Sequence, residues 1–225
     1  MPSTFYNIAK KLLFRLDPEK AHDLALWSLK NIDACGLSLN NHSIVNASTN
    51  VMGLNFKNSV GLAAGLDKNG DFINSLQNLG FGFIELGTVT PKPQAGNPKP
   101  RLFRIPEAEA LINRLGFNNK GVDYLVDQVK SANRNAIIGI NIGKNKTTPI
   151  EDAHHDYEYC LRKVYPQADY ITINISSPNT ENLRSLQESN NLHMLLKRIS
   201  ATRKILQTTH GVIKPIAIKI APDLD

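Results

Sequence analysis

The sequence predicts an α/β fold built on a parallel sheet, either doubly wound or a (β/α)8 barrel, behind a small N-terminal pair of helices. Three observations carry this reading. Short β-rich runs alternate with helical stretches from residue 51 onward, as a parallel sheet covered by helices requires. The runs are apolar nearly throughout, like strands buried on both faces. Polar and glycine residues collect just after each run, at the strand ends where parallel α/β folds place their ligand sites.

The first element is a helix from Phe5, with Ile8, Leu12, Leu13 and Leu16 at three- and four-residue spacing and Lys10, Lys11 and Arg15 between them. Asp17-Pro18 breaks it and starts a second, because Asp caps a helix and Pro suits its first turn. That helix carries Ala21, Leu24, Ala25, Trp27, Leu29 and Ile32. Residues 1–36 thus read as a basic amphipathic helical unit, 37–50 as a polar linker and 51–225 as the β/α region. Within the last, strands are expected at Val51–Phe56, Val60–Ala63, Phe83–Leu86, Ile137–Ile142, Tyr170–Ile175 and Ile216–Ile220. Helices are expected at about 70–79, 121–132, 153–164 and 189–207. The runs beginning at Val60, Phe83, Ile137, Tyr170 and Ile216 make five β/α steps, whereas a closed barrel needs eight and about 250 residues. The chain is therefore read as the first five units of a barrel or as an open sheet. Five strands alone would leave two open edges and an uncovered apolar face, from which instability or aggregation is expected.

Composition narrows the function less than the fold. The 225 residues are 41% hydrophobic and 20% charged, with a net charge of +6 and a sequence pI near 9.3. Such a balance suits nucleic acid, an anionic membrane surface or an acidic small molecule. Nucleic acid is the weakest of these, because the positive charge gathers round one loop and no recognition motif is present. Cys35 and Cys160 lie far apart with no ligand cluster beside either, so neither a disulfide framework nor a metal site is expected, and a reducing compartment is. No apolar stretch is long enough to span a membrane, and no signal peptide opens the chain. The expectation is a protein that is neither membrane-spanning nor exported.

The chemistry is written at the strand ends. The first strand runs into Gly61-Leu62-Ala63-Ala64-Gly65-Leu66-Asp67-Lys68, small residues that let backbone approach a flat or phosphorylated ligand, followed by a cation. The second opens a long proline-stiffened loop holding Lys92, Lys99, Arg101, Arg104, Arg114 and Lys120 against only Glu107 and Glu109. Asn113, Asn141 and Asn174 end successive segments and supply donors and acceptors together, as a ligand rimmed with ring carbonyls and N–H groups requires. Lys219 interrupts the apolar run Ile216–Ile220, where a buried charge calls for an anionic partner.

Five strings carry a family resemblance: GLAAGLDK (61–68), GTVTPKPQ (87–94), GNPKPRLFR (96–104), INRLGFNN (112–119) and NISSPNT (174–180). In this order they resemble dihydroorotate dehydrogenase, specifically its quinone-dependent class 2 branch. The resemblance covers essentially the whole chain and lacks the family's last third. It implies a (β/α)8 barrel that binds FMN and oxidises (S)-dihydroorotate to orotate in pyrimidine synthesis, passing electrons to a membrane quinone. By position, Ala64, Gly65, Lys68, Thr88, Asn141, Asn174 and Lys219 match FMN contacts. Lys68, Asn113, Arg114, Leu115, Gly116, Phe117, Asn174 and Asn179 match substrate contacts.

Ser177 matches the catalytic base, which removes the C5 proton as hydride leaves C6 for the flavin. A serine is a poor base unaided, so Thr180 and the backbone near Phe117 are the expected proton relay. Lys219 is expected to stabilise negative charge developing on the flavin. The soluble class 1 enzymes carry a cysteine base and lack the helix pair, so Ser177 and residues 5–32 both point to class 2. His22 and Arg104 match the quinone tunnel. The helices are then expected to lie on the cytoplasmic side of the inner membrane as a peripheral patch. The competing readings are a non-catalytic fragment of such an enzyme and a soluble class 1-like oxidase.

Overall fold

The structure is a computed structural model describing residues 4–36 and 47–223. Most of the expected linker, 37–46, lies outside the described residues. Helices α1 (Thr4–Leu13) and α2 (Pro18–Ala34) form as the Asp-Pro break predicts, with Asp17 Oδ1 accepting from the amides of Glu19 and Lys20, each at 3.1 Å. α2 buries Ala21 and Leu26 and leaves Leu24 and Trp27 exposed, as α1 leaves Ile8 and Leu12. Polar contacts hold the pair to the rest: Asp33 accepts from Ser75 Oγ at 3.2 Å and Asn78 Nδ2 at 2.6 Å, and Lys30 Nζ donates to Asp71 O at 3.2 Å.

The run expected as one strand, Val51–Phe56, is instead most of a hairpin, β1 (Thr49–Val51) paired antiparallel with β2 (Leu54–Phe56). Met52 and Gly53, at φ 53° and 78°, make a two-residue turn of the kind that right-twisted strands favour. Thr49 and Asn50, read as the end of the linker, already belong to this hairpin.

The main sheet is parallel, with strands β3 (Gly61–Leu62), β4 (Phe83–Val89), β7 (Ile137–Ile142), β8 (Tyr170–Asn174) and β9 (Ile216–Lys219) side by side in that order. The chain order is broken only by β5 (Leu102–Ile105) and β6 (Ala110–Asn113), an antiparallel hairpin within the long loop after β4. Helices α3 (Ile73–Gln77), α4 (Val122–Ser131), α5 (Ala153–Val164) and α6 (Ser189–His210) connect the strands. The sheet does not close: β3 and β9 are its edges.

Side chains alternate across the sheet, and the alternation divides the molecule. Ile84, Leu86, Ile138, Ile140, Ile142, Ile171 and Ile173 point to the helices and are fully buried, packed with Leu125, Tyr157, Leu161 and Ile199 into one core. The opposite face carries Phe83 and Glu85 from β4, Gly139 and Asn141 from β7, Tyr170, Thr172 and Asn174 from β8, and Lys219 from β9. Near the amino ends of the strands this inner face is aromatic. Phe83 lies edge-on to both Phe56, at 5.2 Å, and Tyr170, at 6.3 Å between ring centroids. Glycines make room for these rings: a Cβ at Gly139 would sit 2.1 Å from Tyr170 Cζ, and one at Gly61 2.0 Å from Phe83 Cζ.

Gly139→Ala therefore overpacks this layer and should lower stability by about 1–3 kcal/mol, read as a lower urea midpoint with unchanged slope. An unaltered midpoint would contradict the packing.

Candidate active site

The loop after β3 is built round Asp67. Its carboxylate accepts from four successive amides: Oδ1 from Asn69 (3.3 Å), Gly70 (2.9 Å) and Asp71 (3.0 Å), and Oδ2 from Phe72 (2.8 Å). Burial nonetheless pushes the Asp67 carboxyl above its usual value. The loop is tied to β4 by Gly65 N donating to Gly87 O at 2.8 Å and Gly87 N donating to Asp67 O at 3.2 Å. Gly65 has φ 116°, outside the usual range of L side chains, and nothing lies within 4 Å of where its Cβ would be. Gly87 is required by contact, since a Cβ there would meet Asn141 O at 2.3 Å.

The long loop after β4 is stitched down by two buried asparagines. Asn119 Nδ2 donates to Thr90 Oγ1 at 2.9 Å, and Asn145 Nδ2 donates to Lys92 O at 2.9 Å and Gln94 Oε1 at 2.8 Å. Farther along, Asn97 Nδ2 donates to Arg114 O at 3.0 Å and Asn179 O at 3.2 Å, joining the β6 loop to the β8 loop.

These loops enclose a cavity of about 330 Å³ at the carboxyl ends of the strands. Ala64, Gly65, Lys68, Thr88, Asn113, Leu115, Gly116, Phe117, Asn174, Ser177, Asn179 and Lys219, all singled out from the sequence, line it together with Ser176 and Pro178. Its floor is a hydrogen-bonded chain: Asn174 Nδ2 donates to Thr88 Oγ1 at 2.9 Å, and Thr88 Oγ1 donates to Asn141 Oδ1 at 2.6 Å. Lys68 Nζ donates to Asn118 Oδ1 at 2.5 Å. Burial, with Arg101 nearby and Glu19 opposing, lowers the Lys68 ammonium to about 8. Ser177 Oγ accepts from Asn179 N at 3.2 Å.

Five of the expected residues stand outside the lining. Asn141 is fully buried beneath Thr88. Arg114 turns its guanidinium away, donating to Pro100 O at 3.2 and 2.9 Å. Thr180 is buried, and no hydrogen bond among the described residues joins it to Ser177. His22 lines a second cavity of about 370 Å³ between α2 and the β3 loop, which shares Gly65, Lys68 and Leu115 with the first. Arg104 lines neither; it donates to Phe14 O and Leu16 O at 3.3 and 2.9 Å, and its guanidinium lies 4.8 Å from the Phe14 ring centroid, holding the α1–α2 junction. Lys219, expected on a buried strand with an anionic partner, is exposed on the edge strand β9 and joins none of the ion pairs among the described residues.

The model of the dihydroorotate dehydrogenase family matches residues 46–225. The chain belongs to the dihydroorotate dehydrogenase family. Curated relatives named dihydroorotate dehydrogenase (quinone) include those of Methylobacillus flagellatus, 57% identical over 98% of this chain, and Glaesserella parasuis, 58% identical over 97%. The chain spans 66% and 65% of the length of these two relatives. Among solved structures, Eimeria tenella DHODH in complex with ferulenol superposes with a TM-score of 0.81 at 37% identity, covering 93% of this chain and 60% of that one. The five-stranded sheet and its helices are thus part of a dihydroorotate dehydrogenase barrel.

The structure adds residues to the site that were not singled out from the sequence. Asn118 is one, visible only as half of an Asn-Asn pair. Glu19 is another, and it meets Arg101, read from the sequence only as one cation of the long loop: Arg101 Nε donates to Glu19 Oε1 at 2.6 Å and Nη1 to Ala95 O and Asn97 O at 2.6 and 2.9 Å, while Lys99 also reaches Glu19, at 2.6 Å. Their separation in sequence gave no signal. Burial would raise the Glu19 carboxyl, but hydrogen bonds from Lys99 and Arg101 outweigh it and hold the group below its ordinary value of 4.5.

A depressed carboxyl stabilises the fold above its unfolded pKa and loses that contribution as pH falls through the folded one. Glu19→Gln leaves the buried Arg101 without its counter-charge and should cost about 3 kcal/mol at pH 7. The deficit should shrink as the pH falls from about 4.5, where the unfolded chain begins to take up the proton, through the lower pH at which the folded Glu19 protonates. Urea unfolding from pH 7 to pH 3 measures both, and a deficit that does not change with pH would refute this role for the pair.

Proposed function

We propose that this chain forms the active-site portion of a quinone-dependent dihydroorotate dehydrogenase, with FMN as its resident cofactor, (S)-dihydroorotate as substrate and a membrane quinone as electron acceptor. The reading rests on one observation: a single cavity at the strand ends gathers Lys68, Asn113, Asn174, Ser177, Asn179 and Lys219. The names of the relatives support it, as does the general flavin dependence of the family.

The residues fit a flavin. The backbone at Gly65 faces open space that a Cβ would intrude on, as a flat ring requires. The Asn174 amide and the Lys219 cation, braced from beneath by Thr88 and Asn141, suit a carbonyl-rich ring that gains negative charge. When bound, the flavin takes up the hydride that substrate oxidation releases. The chain's own side chains do the rest. Lys68 offers a cation to the substrate carboxylate from a half-buried position, where water screens it less than at the surface. Asn113, Asn174 and Asn179 hold the ring amides, and Phe117 and Leu115 keep water from one wall. Ser177 Oγ takes the C5 proton while its own proton passes along a relay in which Thr180 is the neighbouring hydroxyl.

The second cavity gives quinone its approach, between α2 with His22 and the wall that carries Lys68. Exposed Ile8, Leu12, Leu24 and Trp27, beside Lys10 and Lys11, fit the surface of an anionic inner membrane on its cytoplasmic side. No helix among the described residues is long and apolar enough to cross a membrane.

Anaerobic titration of the FMN-loaded chain with dihydroorotate should bleach the flavin's visible absorbance. Ser177→Ala should slow the bleaching by about 10²- to 10⁴-fold at unchanged flavin content. A flavin-loaded chain that dihydroorotate does not bleach would refute the assignment. Substrate affinity should be full below pH 8 and decline as pH rises through about 8, where Lys68 loses its proton. Orotate affinity measured from pH 6 to 10 checks this, and a flat profile would remove Lys68 from the carboxylate site.

A further inference from the structure

Beneath the cavity floor, on β4, sits a carboxylate that lines no part of the cavity. Glu85 Oε1 accepts from Asn141 Nδ2 at 2.8 Å, and its Oε2 accepts from Tyr170 OH at 2.9 Å and Thr172 Oγ1 at 3.0 Å. An ionised carboxylate has no hydrogen to give, so every partner must donate to it. Asn141 must then turn its amide nitrogen to Glu85 and its oxygen to Thr88. That oxygen only accepts, so the Thr88 hydroxyl spends its single hydrogen there, at 2.6 Å. Thr88 can in turn only accept from Asn174, whose Nδ2 donates at 2.9 Å. Asn174 is left presenting Oδ1 to Ser176, which donates to it from N and Oγ, both at 3.1 Å. One group that can only accept thus fixes two amides and a hydroxyl in succession.

We propose that Glu85 is a positioning residue that sets the hydrogen-bond polarity of the cavity floor: through Asn141, held beneath Thr88, it leaves Asn174, which lines the cavity, with a second amide hydrogen for the carbonyl-rich ring of the flavin. This rests on the flavin reading given above. Without the anchor Asn141 can turn over, and Asn174 with it, so that Asn174 offers oxygen where the ring also offers oxygen. A network satisfied at every member specifies one arrangement, and a network missing its terminal acceptor does not.

The test uses the full chain, labelled with ¹⁵N and observed through its side-chain amide signals, with FMN binding followed separately by titration. Glu85→Gln keeps the size of the side chain but can donate toward Asn141. It should move the side-chain signals of both Asn141 and Asn174, although Asn174 does not touch position 85, and should weaken FMN binding by about tenfold. Tyr170→Phe removes a different partner of Glu85 and should leave the Asn174 signal in place, with FMN affinity changed by no more than about twofold. If Glu85→Gln does not fold, Thr88 carries the test: Thr88→Val cuts the chain and should move the Asn174 signal, while Thr88→Ser keeps the hydroxyl and should not. An Asn174 signal that stays put in folded Glu85→Gln or in Thr88→Val overturns the proposal, as does one that Tyr170→Phe moves equally far. If the native chain binds no FMN, the flavin reading fails for this chain while the amide signals still decide the role of Glu85.

Discussion

Every group on the cavity floor is placed by the register of four parallel strands. Glu85 stands opposite Gly139 and Gly139 opposite Tyr170; one step on, Asn141 stands opposite Thr172 and Thr172 opposite Ala217; a further step sets Asn174 opposite Lys219. Because side chains alternate with period two, the residues between these are the isoleucines and leucine of the helix-facing core. A slip of one residue in any strand would drive an asparagine or a glutamate into that core and an isoleucine into the cavity. Register and site are therefore one constraint, enforced by the large cost of burying unpaired polar groups.

The same constraint explains why the polar residues of the inner face bond chiefly to one another. Away from water a lone Asn141 would be destabilising, whereas a chain of mutual donors and acceptors is tolerated and rigid. The loops follow this logic at their own scale. Asp67, Asn119 and Asn145 each replace secondary structure with side-chain hydrogen bonds, so irregular backbone keeps one geometry where the cavity needs it.

Legibility in the sequence divided along physical lines. Ile137–Ile142 and Ala153–Val164 form within the bounds that periodicity gives, because apolar runs and amphipathic spacing are local properties. The hairpin of β5 and β6 escaped, since Leu102–Ile105 and Ala110–Asn113 are short and the prolines around them read as loop. Strand ends rich in Gly and Asn disclosed most of the cavity lining. Glu85 did not stand out, because a glutamate between Ile84 and Leu86 looks like a solvent-facing residue until the register sets it beside Asn141. Arg101 and Glu19 meet only through tertiary docking of α2.

The two cavities meet at a single backbone layer, Gly65 to Lys68. Lys68 faces the strand-end cavity and also the space under α2, so its charge answers to both. From the α2 side, Arg101 depresses its proton affinity and Glu19 opposes that. Held by Glu19 through Nε, Arg101 also donates from Nη1 to Ala95 and Asn97, and Asn97 is the residue that joins the Arg114 and Asn179 backbones. Charge and hydrogen bonds thus connect α2 to the same cavity, both through Arg101. The wall between the cavities is stiff, with Asp67 binding four amides in succession, so α2 and the loop it grips are the adjustable parts. In the proposed enzyme, this geometry sets Glu19 of α2 and Arg101 behind the Lys68 cation that meets the substrate carboxylate.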